Sequence, residues 1–163
     1  MLYVVHVRGG YELRILEQLH QKGIAAYCPR QFCAERRRGE WQHVERHIFS
    51  GYVFVEIPEL TAKAWHQIMD CTGTVRILSH RPLPPDEDKY ITQLCNSGYC
   101  ISMSRGYVLD GALHITSGFV KRFEHSIIKF NRRGKRATAD VTIYGKHHRI
   151  IFSVEFDDPP ALP

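Results

Sequence analysis

A change in hydrophobic pattern near residue 107 limits the folds open to this chain more than any other feature. Before it, stretches typical of strands alternate with stretches of helical spacing. After it come only short apolar stretches separated by turn-forming residues, at 107–109, 113–115, 127–130, 141–144 and 150–154. Five such strands predict a small barrel without a large ligand cavity. The 163 residues therefore predict two small domains of different class.

The first half predicts an α+β domain. Its strands are expected at 2–8, 25–29, 48–57 and 75–78, its helices at 11–22, 60–69 and 86–95, and a basic hairpin at 32–47. Asparagine, serine and glycine without periodicity then indicate a linker. We expect a first domain at 1–96, a linker at 97–106, a second domain at 107–157 and a tail at 158–163.

The strand predicted at 48–57 is apolar on both sides. Its alternation places Tyr52 and Phe54 on one face, opposite Phe49, Gly51, Val53 and Val55. Such a strand is either central in its sheet or covered by a partner. The two rings on one face belong to the core in one interpretation and form an exposed apolar patch in the other.

Positive charge is concentrated in the second half. The formal net charge of the chain is +5, and nine basic residues lie between Gly118 and Arg149 against only Glu124 and Asp140. Rings of Phe119, Phe123 and His125 are interleaved with them. Basic groups attract phosphates and rings stack on bases, so a nucleic-acid surface is predicted as an alternative to a merely solvated face. The candidate residues are Lys121, Arg122, Arg132, Arg133, Lys135 and Arg136.

Several classes of function lack a signal in the sequence. No apolar run reaches the length of a membrane span, and the five cysteines lack the spacing of a zinc site, so we expect free thiols and a cytoplasmic protein. We expect no cofactor and no catalysis, because no nucleophile with a base, carboxylate pair or phosphate loop is recognisable. A metal-dependent nuclease using the cysteines and histidines is a remote alternative.

Short motifs in a fixed order carry a family resemblance. In the first half they are Tyr3-Val4-Val5, Gly10-Tyr11-Glu12, the segment 49–55 and Trp65-His66. In the second half they are Gly111, Ile115, Ser117-Gly118, Phe123-Glu124, Ile127, Arg136-Ala137 and the segment 141–145. They resemble the NGN and KOW domains of the NusG family of transcription elongation factors. The resemblance implies an α+β fold, in which an NGN α/β sandwich with an antiparallel sheet flanked by helices precedes an all-β, SH3-like KOW barrel.

The chain departs from the family pattern at four positions. Ser50 stands where proline is usual, and Phe119, Arg122 and His125 replace the proline and glycines of the KOW signature. Loss of glycine from a tight turn changes the backbone path open to it. The segments ITSG, NRRGKRA and IYGK are most similar to LoaP, a specialised antiterminator branch of the family.

The resemblance implies partners for both domains. The NGN domain is expected to bind the clamp helices of RNA polymerase through Val4, His6, Phe49, Tyr52, Phe54 and Ile77. Similarity to RfaH implies a contact of Arg8 and Arg14 with non-template DNA. The hairpin tip of Arg36, Arg37 and Arg38 is either solvated or in contact with nucleic acid or polymerase.

Similarity to LoaP implies that the basic KOW residues bind an RNA hairpin in a leader transcript. The expected function is processive antitermination by a monomer. A general NusG, whose KOW domain binds a termination factor or the ribosome, and a ribosome-associated RNA-binding protein are the alternatives. Refolding of the second domain into a helical hairpin, as in RfaH, stays open.

Overall fold

The computed structural model describes residues 1–96 and 100–161. The described residues form two compact units, one of 1–29 with 49–96 and the other of 30–48 with 100–161. The elements follow in the order β1 (Leu2–Val7), α1 (Glu12–Gln21), β2 (Ala25–Tyr27), β3 (Arg30–Arg37), β4 (Glu40–His47), β5 (Tyr52–Glu56), α2 (Ala62–Met69), β6 (Thr74–Ile77), α3 (Pro85–Asn96), β7 (Cys100–Ile101), β8 (Ser104–Leu109), β9 (Ala112–Ser117), a 3₁₀ helix (Phe119–Ser126), β10 (Ile127–Asn131), β11 (Arg136–Ile143) and β12 (Lys146–Asp157).

The first unit contains an antiparallel sheet with strand order β2-β5-β1-β6. Val5 of β1 and Val53 of β5 lie in one buried cluster with Ile15 of α1 and Ile68 of α2. The apolar residues of α1 recur at helical spacing, so a single face of the helix enters this core. The expected sheet-and-helix domain is confirmed, and β5 is a central strand.

The strand predicted at 48–57 is shorter in the structure. Residues 48–51 form bends and a turn, and the left-handed backbone of Gly51 (φ +84°) precedes β5. Because the chain turns there, Phe49 does not continue the alternation of the strand. Its ring lies edge-on to that of Phe54, with 5.3 Å between centroids, so the expectation that they face opposite sides was wrong.

A buried glutamate ties this turn to the first helix. The carboxyl group of Glu12 accepts hydrogen bonds from the backbone N–H groups of Gly10, at 2.9 Å, and Gly51, at 3.0 Å. Only 1% of Glu12 is exposed. The Gly-Tyr-Glu motif thus holds together the start of α1 and the start of β5.

Replacing Glu12 with alanine is expected to destabilise the protein by about 2–4 kcal/mol, because two buried N–H groups lose their acceptor. Chemical denaturation followed by circular dichroism measures this free energy of unfolding. Glu17→Ala, on the exposed side of the same helix, is the matched control and should change it by less than about 0.5 kcal/mol. Equal stability of the two variants would contradict the structural role of Glu12.

The second unit is built on a five-stranded sheet with order β10-β11-β12-β8-β9. Strand β12 pairs antiparallel with β11 and, over its last residues, parallel with β8. Alternate residues of β11 and β12, such as Ala139, Ile143 and Phe152, are buried. The ring of Phe123 stacks on Phe152 with centroids 5.9 Å apart. The expected all-β second domain is confirmed, in the form of a half-barrel.

The β structure of this unit extends into the segment expected to be a linker. Residues 97–99 of that segment lie outside the described residues, β7 occupies 100–101, and β8 begins at Ser104. Periodicity did not indicate β7 because this strand has two residues only. It pairs parallel with β3, giving a small sheet of order β4-β3-β7.

The β3–β4 hairpin, expected in the first domain, clusters with the barrel strands. The side-chain amide of Gln31 donates to the carbonyl of Ile151 at 2.7 Å and accepts from the N–H of Ser153 at 3.3 Å. The hydroxyl of Ser153 in turn accepts from the N–H of Ala34 at 2.9 Å. Since β8 pairs with β12 only from Val154 onward, Gln31 supplies hydrogen-bond partners to β12 in the stretch before that pairing begins.

The departures from the KOW pattern lie in the 3₁₀ helix. Gly118 precedes it with φ +99°, and a Cβ atom there would lie 2.4 Å from the Ser104 hydroxyl. That hydroxyl accepts a hydrogen bond from the N–H of Val120 at 3.0 Å. Val120 and Phe123 are buried, so the segment without glycine is a fixed helical turn.

No helix within residues 1–96 and 100–161 combines the length and the apolar character needed to cross a bilayer.

Candidate functional site

The turn between β10 and β11, which we call the basic turn, presents the densest positive charge on the second unit. The side chain of Asn131 accepts from the N–H of Gly134 at 3.0 Å, and the N–H of Lys135 donates to the carbonyl of Arg132 at 3.2 Å. These bonds close the turn, and Arg132 and Arg133 are exposed on it. The turn is therefore a fixed platform for two guanidinium groups.

Arg132, Arg133 and Arg136 border one shallow cavity of about 570 Å³. Its other lining residues include Lys129 and Phe130 from β10. Three guanidinium groups and an ammonium group around a concave surface are suited to bind phosphates. The structure thus brings together three of the six residues predicted to bind RNA and adds Lys129, which was not among the six.

Lys135 differs from its neighbours in the turn. Its ammonium group forms an ion pair with Glu155 at 2.9 Å and lies 4.6 Å from the centre of the Trp41 ring. Its backbone is left-handed, with φ +54°. Because its charge is already balanced by Glu155, Lys135 acts as a structural anchor of the turn more than as a phosphate ligand.

Lys121 and Arg122 belong to another element. Both are exposed on the 3₁₀ helix, and the guanidinium of Arg122 lies 5.7 Å from the centre of the Phe119 ring. They add positive charge to the unit but line neither the cavity of about 570 Å³ nor the one described next.

A second cavity joins the hairpin to the basic turn. It has a volume of about 660 Å³ and is lined by Arg36 and Trp41 of the hairpin and by Arg133 and Arg136 of the barrel, among others. Arg37 and Arg38 are exposed at the same hairpin tip. The hairpin and the basic turn were predicted as separate features, because about a hundred residues separate them in the chain.

The hairpin arginines do not all carry uncompensated charge. Arg46 donates two hydrogen bonds to Glu35, at 2.8 and 3.0 Å, and Arg37 donates a third at 3.2 Å. The hydrogen bonds from Arg46 are the main cause that lowers the pKa of Glu35 from its ordinary value. Glu35 is therefore ionised and paired at neutral pH.

The residues expected to bind polymerase fall into two groups by burial. Val4, Phe49 and Phe54 are buried within this chain, with Phe54 0% exposed, so the patch in which Phe54 was exposed is not present. His6, Tyr52 and Ile77 are half-buried. His6 pairs with Tyr52 across β1 and β5, and their rings lie 5.9 Å apart. Only this second group offers accessible surface.

Arg8 and Arg14, expected near DNA, are exposed in the first unit. Arg8 follows β1, and its N–H donates to the carbonyl of Gly73 at 2.8 Å. The guanidinium of Arg14, on α1, lies 5.8 Å from the centre of the Tyr11 ring. Both side chains are accessible to a partner of the first unit. The two contacts that they make within the chain do not indicate that this partner is DNA.

The five cysteines are free thiols and form no disulfide with one another: Cys28, Cys33, Cys71, Cys95 and Cys100. Burial, as the largest cause, raises the pKa of the Cys95 thiol to about 12, so this thiol keeps its proton at neutral pH. Over residues 1–96 and 100–161, no three or more histidine, cysteine or acidic side chains are grouped as a metal would require.

Comparison with known proteins gives a family match. The family model described as "Transcription termination factor nusG" matches residues 2–93, more than half of the chain. The chain is 24% identical over 159 residues to the transcription termination/antitermination protein NusG of Rickettsia typhi, covering 88% of this chain and 82% of that protein.

Two further relatives with the same description show a similar sequence identity and coverage. For the NusG protein of Pseudomonas aeruginosa, identity is 23% over 159 residues, with 88% of this chain and 89% of that protein covered. For the NusG protein of Streptococcus pyogenes serotype M3, identity is 26% over 166 residues, with 87% of this chain and 92% of that protein covered. The similarity therefore extends over both units.

Proposed function

Because the chain belongs to the NusG family of transcription termination and antitermination factors, we propose that it is a specialised, processive antiterminator that binds RNA polymerase and a structured leader RNA. In this proposal the first unit binds the clamp helices of the polymerase and limits the clamp opening that accompanies termination. The second unit selects the target operons. The protein acts as a monomer in the cytoplasm and performs no chemistry itself.

One observation carries the RNA part of the proposal. Arg132, Arg133 and Arg136 converge around a single cavity that Lys129 and Phe130 complete. Structured RNA offers phosphates for the basic groups, and its loops and bulges offer unstacked bases for a ring. A barrel that served only to pair with another protein would not need three convergent arginines at one turn.

The polymerase part rests on the surface of His6 and Tyr52. These two residues pair across β1 and β5, on the sheet face that also carries the buried Val4 and Phe54. Ile77 pairs with Val5 and packs against the core cluster on the opposite face. Aromatic side chains with a rigid support are the usual anchors of protein interfaces. In this arrangement Val4 and Phe54 adjoin the pair along the same two strands, and the Phe49 ring packs against Phe54. Arg8 and Arg14 remain candidates for a contact with non-template DNA.

Crosslinking of the full chain to nascent transcripts tests the proposal. Crosslinks are expected in the leaders of a few operons, and affinity for such a leader should fall steeply with salt. Three phosphate contacts give a slope of log K against log salt of about −2 or steeper. Crosslinks spread evenly over all transcribed genes would favour a general NusG, and crosslinks confined to ribosomal RNA would favour the ribosome-associated alternative.

A further inference from the structure

The cavity between the hairpin and the basic turn, which we call the Trp41 groove, has the features of a site for an unpaired nucleotide. It is defined by Arg36, Trp41, Arg133 and Arg136. We propose that the Trp41 groove binds an unpaired RNA base stacked on the Trp41 ring, with the flanking phosphates on the arginines. This inference deepens the proposed function and rests on it, because it names the RNA element that the second unit binds.

The ring of Trp41 is held in place and still accessible. The ammonium group of Lys135 lies 4.6 Å from the ring centre, and Glu155 fixes that ammonium group at 2.9 Å. Trp41 nevertheless keeps 39% of its surface exposed, although tryptophan is normally among the more buried residues. A supported but exposed indole loses little side-chain entropy when a base stacks on it.

The charges around the ring match a sugar-phosphate backbone. Arg36, Arg133 and Arg136 are exposed and come from both sides of the groove. The acidic lining residue, Glu35, is paired with Arg46 and Arg37 and so presents little uncompensated negative charge. The Nε–H of Arg36 donates to the carbonyl of Gly39 at 3.3 Å, so this guanidinium group is hydrogen-bonded to the hairpin turn.

The size and position of the groove favour an unpaired base over a duplex. A volume of about 660 Å³ lies in the range of roughly 300–1,000 Å³ found for small-ligand sites. Bases inside a duplex are stacked on one another and cannot stack on a protein ring, whereas those of loops, bulges and single strands can. The neighbouring cavity of Lys129 and Arg132 shares Arg133 and Arg136 with the groove, so one RNA can occupy both.

Tryptophan fluorescence tests this site directly, because the chain has only two tryptophans, Trp41 and Trp65. In a Trp65→Phe protein the emission reports on Trp41 alone, and saturating quenching is expected on titration with a single-stranded 12-nucleotide RNA. The Trp41→Phe protein, which retains Trp65, should show no quenching. Its affinity for the 12-mer should stay near that of the unaltered chain, because phenylalanine can still stack.

Affinity measurements separate this inference from the proposed function. Trp41→Ala should weaken binding of the single-stranded 12-mer about tenfold or more and leave binding of a blunt, fully paired RNA duplex unaffected. The Trp41 groove would be overturned if the 12-mer did not quench Trp41 in the Trp65→Phe protein, or if Trp41→Ala bound the 12-mer with unchanged affinity. Either result would count against the groove even if leader RNA still binds through Arg132. Quenching by oligoglutamate as strong as by RNA would indicate a site for acidic protein and overturn it too. Trp41-dependent binding of the 12-mer without any selectivity for leader RNA would support the groove and contradict the proposed function.

Discussion

Charge reversal of Arg132, Arg133 and Arg136 to glutamate is expected to abolish binding of the leader RNA while the protein stays folded. Three phosphate ligands are lost and three repulsive charges are introduced, so affinity should fall roughly a hundredfold or more at 0.15 M salt. All three side chains are exposed, and none of them supports the barrel core. Filter binding measures the affinity, and circular dichroism checks the fold.

A matched control must change the net charge by the same amount elsewhere. Lys63, Arg76 and Lys89 are exposed in the first unit, and their reversal to glutamate produces an equal loss of positive charge. This control should retain affinity within a fewfold of the unaltered chain. If both triple variants lost affinity equally, binding would depend on net charge alone, and the basic turn would not be the RNA site.

Replacement of Tyr52 with alanine is expected to weaken polymerase binding about thirtyfold. Loss of an aromatic anchor at an interface costs roughly 2 kcal/mol or more, and Tyr52 is the accessible phenol ring of the surface formed with His6. Binding of the full chain to purified polymerase, measured by titration of a labelled protein, gives the value. Tyr90→Ala, which removes a ring 43% exposed on α3, is the matched control and should change little.

Phe54 requires a different interpretation from Tyr52. Its side chain is 0% exposed, and truncation of a buried phenylalanine to alanine costs about 3–5 kcal/mol of stability. Loss of polymerase binding in Phe54→Ala would therefore report on folding. An unchanged affinity in Tyr52→Ala would exclude this surface as the polymerase site.

Much of the fold could be predicted because local pattern and tertiary structure agree. The helical spacing that predicted a helix at 11–22 corresponds to α1, and the basic hairpin corresponds to β3 and β4 with a left-handed turn at Arg38 and Gly39. These elements depend on side-chain periodicity and turn chemistry, which are properties of neighbouring residues. The two-part α+β class follows from the same information.

What could not be predicted depends on contacts between distant residues. An alternating pattern in a strand cannot distinguish an exposed ring from one that distant residues of the same domain cover. Phe54 is a covered ring, because its side chain is 0% exposed. Likewise, nothing near Gln31 indicates that its amide satisfies the backbone of Ile151 and Ser153. The Trp41 groove depends on the packing of the β3–β4 hairpin against the barrel strands. The sequence could therefore predict the basic residues of the candidate site but not the groove that they line together with Trp41.

In vitro transcription across an intrinsic terminator tests the central claim most directly. The template carries, upstream of the terminator, a leader identified by crosslinking, and a second template lacks it. Readthrough should rise when protein and leader are both present, return to the basal level without the leader, and be lost with the Arg132, Arg133 and Arg136 reversal. Readthrough that rises equally on both templates would contradict recruitment through leader RNA.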